Sequence, residues 1–428
     1  MKINWLRYVF SIVFLITLSA CALAPAPGPE ARAAADQLAA DIDRKQRQHV
    51  GTANRAQPDV KLFARVFERV KAEYVRPVDE DMLIAAASHA LADATPPNDL
   101  ISDDWYVEQA INGMLASLDP YSTYLPRDEY EAMQDSMRGE FGGLGIQITL
   151  PDQGDGVLII MPLAGTPAAA AGLMANDRIT HVDGDSLDGY NLGQVVRRLR
   201  GPVGSRVVLT IRRGTEKIFD VEMARAVIHL DVVKWRLEGD FGYLNVAGFS
   251  EDTSDQIEEA IGKIRSHLGG RLAGLVIDLR DNPGGLLVES VAASDAFIES
   301  GDIVVTKGRH RTQRYRATGG DIVAGLPIAV LINRNSASAA EIFAAAMKDH
   351  NRALLIGTRS FGKGTVQTVM PMGRGTALKL TTAAYYSPSG KSVDGGIVPD
   401  IMVEDDRETD VDEGLQRAIA ELNRLAAL

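Results

Sequence analysis

From about residue 228 the chain alternates short apolar runs (242–246, 275–279, 328–332 and 354–356) with amphipathic stretches at 254–267 and 337–348. Short runs of three to five residues bounded by polar turns suit buried strands, and the intervening stretches carry helical spacing. Strands that alternate with helices build a mostly parallel sheet covered by helices, so this part is expected to be an α/β core. The 428 residues exceed what one core accommodates, and two or three folding units are expected.

Upstream, residues 138–227 hold apolar runs at 145–150, 157–161, 178–182 and 206–211, punctuated by Gly, Pro and Asp, the pattern of a small β-rich module. Before that, Leu62, Val66, Val70 and Tyr74, then 82–91 and 105–118, follow helical spacing and suggest a helical N-terminal unit. Its apolar stripes serve equally as core or as a surface for self-association. Residues 22–58 are rich in Ala, Pro, Gln and charge with few large apolar side chains, and read as a flexible tether. The tail places Leu415, Ile419 and Leu422 on one helical face, expected to dock on the core.

Lys2 and Arg7 precede an apolar stretch at 8–18 that is too short to span a bilayer, which marks an export signal. Leu18-Ser19-Ala20-Cys21 resembles a bacterial lipoprotein lipobox, and Cys21 is the single cysteine, so no intramolecular disulfide forms. The expectation is an exported, periplasmic protein lipid-anchored to a membrane through Cys21, with 1–21 as the signal segment. Cleavage near Ala22 or Ala24 is the competing reading. A net charge of −12 without any Lys/Arg run argues against a nucleic-acid partner.

Residues 327–341, PIAVLINRNSASAAE, read as strand, polar turn and helix start, placing Ser338 at the corner. A hydroxyl there lies beside free N–H groups and the positive helix end, which suits a tetrahedral oxyanion. Ser338-x-x-Glu341 fits a capping box equally well. A second element, SFGKGTVQ at 360–367, flanks Lys363 with glycines and puts Gln367 four residues on, where an amide can orient the amine. A lysine that acts as general base near neutral pH must fall from about 10.4 to about 7, roughly 4 kcal/mol of preference for the neutral amine, within reach of burial. Residues 357–363 also match part of a phosphate-binding loop, but Gly364 stands where a Ser/Thr is needed. A third element, DLRDNPGG at 278–285, ends a strand in a glycine-paired turn whose backbone can approach a ligand closely.

Together with LDPYSTYL (118–125), GEFGGLGIQI (139–148), NSASAAE (335–341) and YYSPSGKSVDGGIVPD (385–400), these motifs resemble the carboxyl-terminal processing (tail-specific) proteases from about Lys61 to the final strand. The resemblance implies an α/β multi-domain protein: a crotonase-like α/β protease core at 228–428, an inserted β-rich PDZ domain at 131–227 and a helical N-terminal domain at 59–130. It implies Ser338 as nucleophile, Lys363 as base, Gln367 as its amide partner, and the N–H groups of Gly284 and Ala339 as oxyanion donors. No metal or other cofactor is implied. Arg334-Asn335 and Ala340 depart from residues common in relatives, without removing a catalytic group.

Within 131–227, Gly142-Gly143-Leu144-Gly145-Ile146 can aim backbone N–H groups at a peptide's terminal carboxylate, and the chain behind that carboxylate can add a strand. With TPA at 166–168, GL at 172–173 and NDRI at 176–179, the segment resembles PDZ domains, and Gly143, Leu144, Gly145, Ile146, Val195 and Leu199 are the expected peptide-binding residues, with structural core the competing reading for at least two of Leu144, Ile146, Val195 and Leu199. Arg200 is a regulatory candidate, with an ordinary surface arginine as the competing reading. Expected partners are proteins or peptides with exposed apolar C-termini, with an adaptor protein and a homo-oligomer through the N-terminal helices as open readings. Two alternatives to a serine endopeptidase stand: a non-catalytic PDZ scaffold lipoprotein, and a hydrolase of small esters or amides. A Ser/His/Asp arrangement through His350 is the weaker catalytic alternative, since His350 follows Lys348-Asp349 at a helix end.

Overall fold

The alternating segments beyond residue 228 form one six-stranded sheet, in the order 233–238, 241–246, 274–278, 328–332, 354–357 and 401–402. The first pair is antiparallel and the rest are parallel. Strands Gly274–Asp278 and Ile328–Ile332 are buried at every position, which is why they read as continuous apolar runs rather than as alternation. The coordinates are a computed structural model that describes residues 29–50, 59–95, 104–151, 156–214, 217–404 and 411–427. Signal segment 1–21, with Cys21, lies outside the described residues.

The described chain divides into two compact units. One comprises residues up to Tyr130 together with Lys307–Thr312 and Thr365–Ala384; the other holds the remainder. In the first, helices Val60–Glu73, Glu80–Asp93 and Trp105–Ala116 bury Phe63, Phe67, Leu83, Tyr106 and Leu115 in a core that also takes Leu378 and Leu380. Strand Thr123–Leu125 pairs with Thr376–Tyr386, and Thr365–Gly373 pairs with the same strand. The tether expectation is corrected over part of its length: Pro29–Val50 is a helix, with Leu38 and Ile42 buried. Its Ala, Gln, Arg and Lys are strong helix formers, and two apolar residues at i and i+4 suffice to seat one face.

In the second unit, the β-rich module is an antiparallel sheet ordered 146–149, 157–162, 178–182, 206–213 and 217–224, with helix Leu192–Leu199 packed through Val195 and Leu199. That helix starts at a reciprocal cap between Asn191 and Gln194. A two-stranded ribbon, Glu140–Gly143 with Ala226–His229, brings both ends of the module together before the chain enters the core.

The C-terminal helix Glu413–Ala426 buries Ala418 and Leu422 on the core sheet, as its apolar stripe anticipates. Its N-terminus is tied down by charge. Asp412 accepts from the Leu415 N–H and from Arg280, and Arg280 also pairs with buried Asp278 at 2.6 Å. Burial opposes the charge on Asp412, but Arg280 outweighs it and holds the carboxyl below its ordinary range. Burial beside Asp278 pushes the Tyr243 phenol up to about 12, so it remains the donor in its 2.7 Å bond to that carboxylate. Arg280→Ala would leave Asp278 buried without its cation, and is expected to destabilise the protein by about 3 kcal/mol. Equilibrium denaturation checks this; an unchanged midpoint would mean that the Asp278–Arg280–Asp412 link is not structural.

Candidate active site

Strand Ile328–Ile332 runs into the turn 333–337 and helix Ala339–Asp349, and Ser338 stands at the junction. Its backbone is at φ 55° and ψ −113°, a left-handed conformation that a serine adopts only when its surroundings impose it. Ser338 and Glu341 form the capping box that their spacing suggests, the Ser338 N–H donating to the Glu341 carboxylate at 2.8 Å, but on a left-handed backbone where an N-cap is ordinarily extended. The turn is pinned on both sides. Ser336 is fully buried and donates to the Leu279 carbonyl at 2.7 Å, while the Ala337 N–H donates to the Asn282 carbonyl at 2.9 Å.

The 278–285 turn meets this corner directly. A Cβ added at Gly284, where φ is +100°, would come 2.7 Å from the Ala337 oxygen, 2.9 Å from the Ala339 nitrogen and 2.9 Å from the Ser338 Cβ. Only glycine lets the two backbones touch here. Asn282 is completely buried: its Nδ2 donates to the Val246 carbonyl and its Oδ1 accepts the Gly284 N–H at 2.8 Å. Asp281 accepts from the side-chain amides of Asn333 and Asn335 at 3.0 and 2.7 Å, and these bonds hold its carboxyl below the usual range. Asn335 thus helps join the two turns.

Of the two expected oxyanion donors, the Ala339 N–H begins the helix and has no partner among the described residues. The Gly284 N–H is already given to Asn282, so the two-donor hole is not assembled in this structure. The physical reason is local: an asparagine two residues before the glycine closes an Asx-type turn on that N–H.

Lys363 lies in the 360–364 segment, in the same unit as Ser338, and is partly buried. Flanking glycines are required by close backbone contact, since a Cβ at Gly364 would lie 2.4 Å from the Asp394 nitrogen and one at Gly362 (φ +92°) would lie 2.7 Å from that of Gly396. The Phe361 N–H donates to the Ser336 carbonyl at 3.0 Å. Glu341, fully buried, accepts the N–H groups of Ser338, Gly362 and Lys363 at 2.8, 2.6 and 2.9 Å and the Ser360 hydroxyl at 2.5 Å. Tyr385, also buried, is pushed up by desolvation and neighbouring Tyr315, partly offset by its interaction with Ser338. Gln367 belongs to the other unit, where its amide donates to Thr365 and Thr381 at 3.0 and 3.1 Å.

His350 has a different role from a triad base. It follows the far end of the helix that Ser338 begins, about 18 Å along the axis, and its Nε2 donates to the Asp302 carbonyl at 2.8 Å.

In the β-rich module, Gly143, Leu144 and Gly145 are buried, and strand Ile146–Thr149 lies at the edge of its sheet. Gly145, at φ +71°, has Thr166 packed where a Cβ would be. Leu144, Val195 and Leu199 belong to the module's hydrophobic core, and Ile146 packs against it while partly exposed. Arg200 stacks its guanidinium 4.0 Å over the Phe141 ring. The more deeply held arginine is Arg225, which caps the 192–199 helix by donating to the carbonyls of Arg198 and Leu199 at 2.9 Å each.

Sequence reasoning missed Asn282, Ser360 and Arg225, and saw in Glu341 its capping box with Ser338 but not its bonds to Ser360, Gly362 and Lys363. The one usable signal for the wider role of Glu341 was an acidic residue in the otherwise apolar, buried stretch 339–347 of this helix.

A family model described as Peptidase family S41 matches residues 240–403, and a PDZ domain model matches residues 162–213. Over 361 residues the chain is 44% identical to a carboxy-terminal-processing protease of Bartonella bacilliformis, covering 82% of this chain and 77% of that one. It is 35% identical over 318 residues to a CtpA-like serine protease of Staphylococcus aureus, covering 71% of this chain and 63% of the relative's length. Among solved structures, a photosystem II D1 C-terminal processing protease superposes with a TM-score of 0.50 at 28% identity, covering 83% of this chain and 96% of that one.

Proposed function

This chain belongs to the carboxy-terminal-processing proteases of peptidase family S41, serine-type peptidases that here carry a PDZ domain, and from that membership we propose how it works. It is an endopeptidase that seizes the C-terminal tail of a protein substrate with its PDZ domain and cleaves by a Ser/Lys mechanism on a crotonase-like core. The observation that carries the reading is the φ of 55° at Ser338, at a helix start whose first N–H is unpartnered among the described residues. Strain of this kind costs about 1–3 kcal/mol and persists where a side chain must be presented for chemistry.

In the first step the Ser338 Oγ attacks the scissile carbonyl as its proton passes to the Lys363 amine. The oxyanion forms beside the Ala339 N–H, joined by Gly284 once its bond to Asn282 yields. Collapse expels the amine product, which takes the proton from Lys363, and leaves an ester on Ser338. Water, deprotonated by the same amine, then attacks the ester, and the new C-terminus is released as the Ser338 oxygen takes that proton back from Lys363. Gln367 is assigned the orientation of the Lys363 amine. The substrate's tail adds to the Ile146–Thr149 edge, its carboxylate on the Gly143–Gly145 loop. Lipid anchoring through Cys21, export to the periplasm, an Arg200 relay, an adaptor and self-association complete the proposal.

The test is single-turnover mass spectrometry with a peptide ending in an apolar residue. The expected result is an acyl adduct on the peptide containing Ser338, and cleavage that falls roughly tenfold or more when the tail carboxylate is amidated, because a charge-assisted anion contact is lost. Cleavage with no adduct on Ser338 would remove the nucleophile assignment. Equal cleavage of both peptides would remove tail capture.

A further inference from the structure

The nucleophile and the base stand on different segments, and a proton passes between them only if those segments keep a fixed register. The Glu341 carboxylate spans that gap. Oε1 accepts from Ser360 at 2.5 Å and from the Gly362 N–H at 2.6 Å. Oε2 accepts from the Ser338 N–H at 2.8 Å and the Lys363 N–H at 2.9 Å. One buried group therefore holds the backbone of the nucleophile and that of the base through the same oxygen atom. Three of its four partners lie 19 to 22 residues further along the chain, far outside the reach of a helix cap.

We propose that Glu341 is a positioning residue for the peptidase reaction: its carboxylate clasps the Ser338 corner to the 360–363 loop and sets the Ser338–Lys363 geometry. The proposal rests on the Ser/Lys reading above. Four donors converge on two oxygens, so the site is saturated with N–H and O–H groups and demands a group that only accepts. Ser360 extends the clasp by accepting the Ile397 N–H at 2.7 Å, which ties in the 394–397 segment that crowds Gly362 and Gly364. The left-handed backbone of Ser338 is thereby held from its own N–H, which explains how a strained serine is kept in place.

Glutamine is the informative replacement. It matches the shape of glutamate, yet its NH2 faces two donors whichever way the amide is turned. Misplacing reacting groups by about 1 Å costs on the order of 100-fold in rate. Glu341→Gln is expected to lower kcat by about that factor with KM within about threefold of wild type, because the PDZ domain and the substrate's path to it are untouched. Glu341→Asp, which keeps two accepting oxygens on a shorter stem, is expected to recover part of the loss. Ser360→Ala, which removes one of the four contacts, is expected to lose about tenfold in kcat, and it decides the matter should Glu341→Gln fail to fold.

Steady-state cleavage of one peptide is measured for these variants beside Ser338→Ala and Lys363→Ala, with thermal unfolding of each. The kcat losses at unchanged KM, in variants that melt cooperatively, support the clasp. Wild-type kcat in folded Glu341→Gln, or in Ser360→Ala when the glutamine variant is unfolded, overturns it, as does a loss confined to KM. If Ser338→Ala or Lys363→Ala retains turnover, the Ser/Lys reading itself has failed; if both are inactive while the Glu341 and Ser360 variants are normal, only the clasp has.

Discussion

Ser338→Ala is expected to reduce peptide cleavage by roughly 10⁴-fold or more while leaving the fold intact. Nucleophile and base act as a unit, so removing the hydroxyl forfeits the covalent route and leaves only what binding and the oxyanion donors supply. Alanine is as constrained as serine at φ 55°, so the strain is unchanged and the melting temperature should be too. Ser338→Gly separates the two roles of the position. It is expected to be equally inactive but more stable, by about 1 kcal/mol, because glycine adopts positive φ freely. Peptide turnover and thermal unfolding of the pair check this. An active alanine variant would end the nucleophile assignment, and a glycine variant no more stable than alanine would show that the corner is not strained.

Lys363→Arg is expected to be nearly as damaging, with a loss on the order of 10³-fold. Arginine keeps the positive charge and a similar reach, so any role for Lys363 in anchoring substrate through charge would largely survive. A guanidinium does not give up its proton near neutral pH, and a positioned general base is worth about 10²–10⁴ in rate. The loop should tolerate the change, because its path is set by Gly362 and Gly364 packing on the 394–396 backbone rather than by the side chain between them. The loss should appear in kcat and in the rate of Ser338 acylation, with KM little altered. Substantial turnover by the arginine variant would point to charge rather than proton transfer.

The core was legible because its elements obey local rules. Strands buried on both faces are uninterrupted apolar runs, and expected positions for the 328–332 strand and the 339–349 helix agree with the structure to within two residues. The 29–50 helix was less legible, since Ala- and charge-rich composition is shared by surface helices and by tethers, and only burial of Leu38 and Ile42 distinguishes them. In the β-rich module, glycine and apolar spacing marked the Gly143–Ile146 loop, yet Val195 and Leu199 serve the module's core. An apolar residue on a helix facing a sheet looks the same in sequence whether it lines a groove or fills the interior.

Glu341 shows where sequence reading ends. Three residues after a serine, it has the spacing of a capping box, and short-range rules assign it to its own helix. Gly284 shows the same limit, because its N–H is taken by a neighbour two residues away although the turn itself was recognised. By itself, the sequence determined the strand–corner–helix that offers Ser338, the glycine-flanked loop that bears Lys363, and the family to which both belong. Only the tertiary structure decided which buried group holds those segments in register, because a carboxylate's hydrogen-bond partners are chosen by distance in space, and three of the four on Glu341 come from chain that folds back from 19 to 22 residues away.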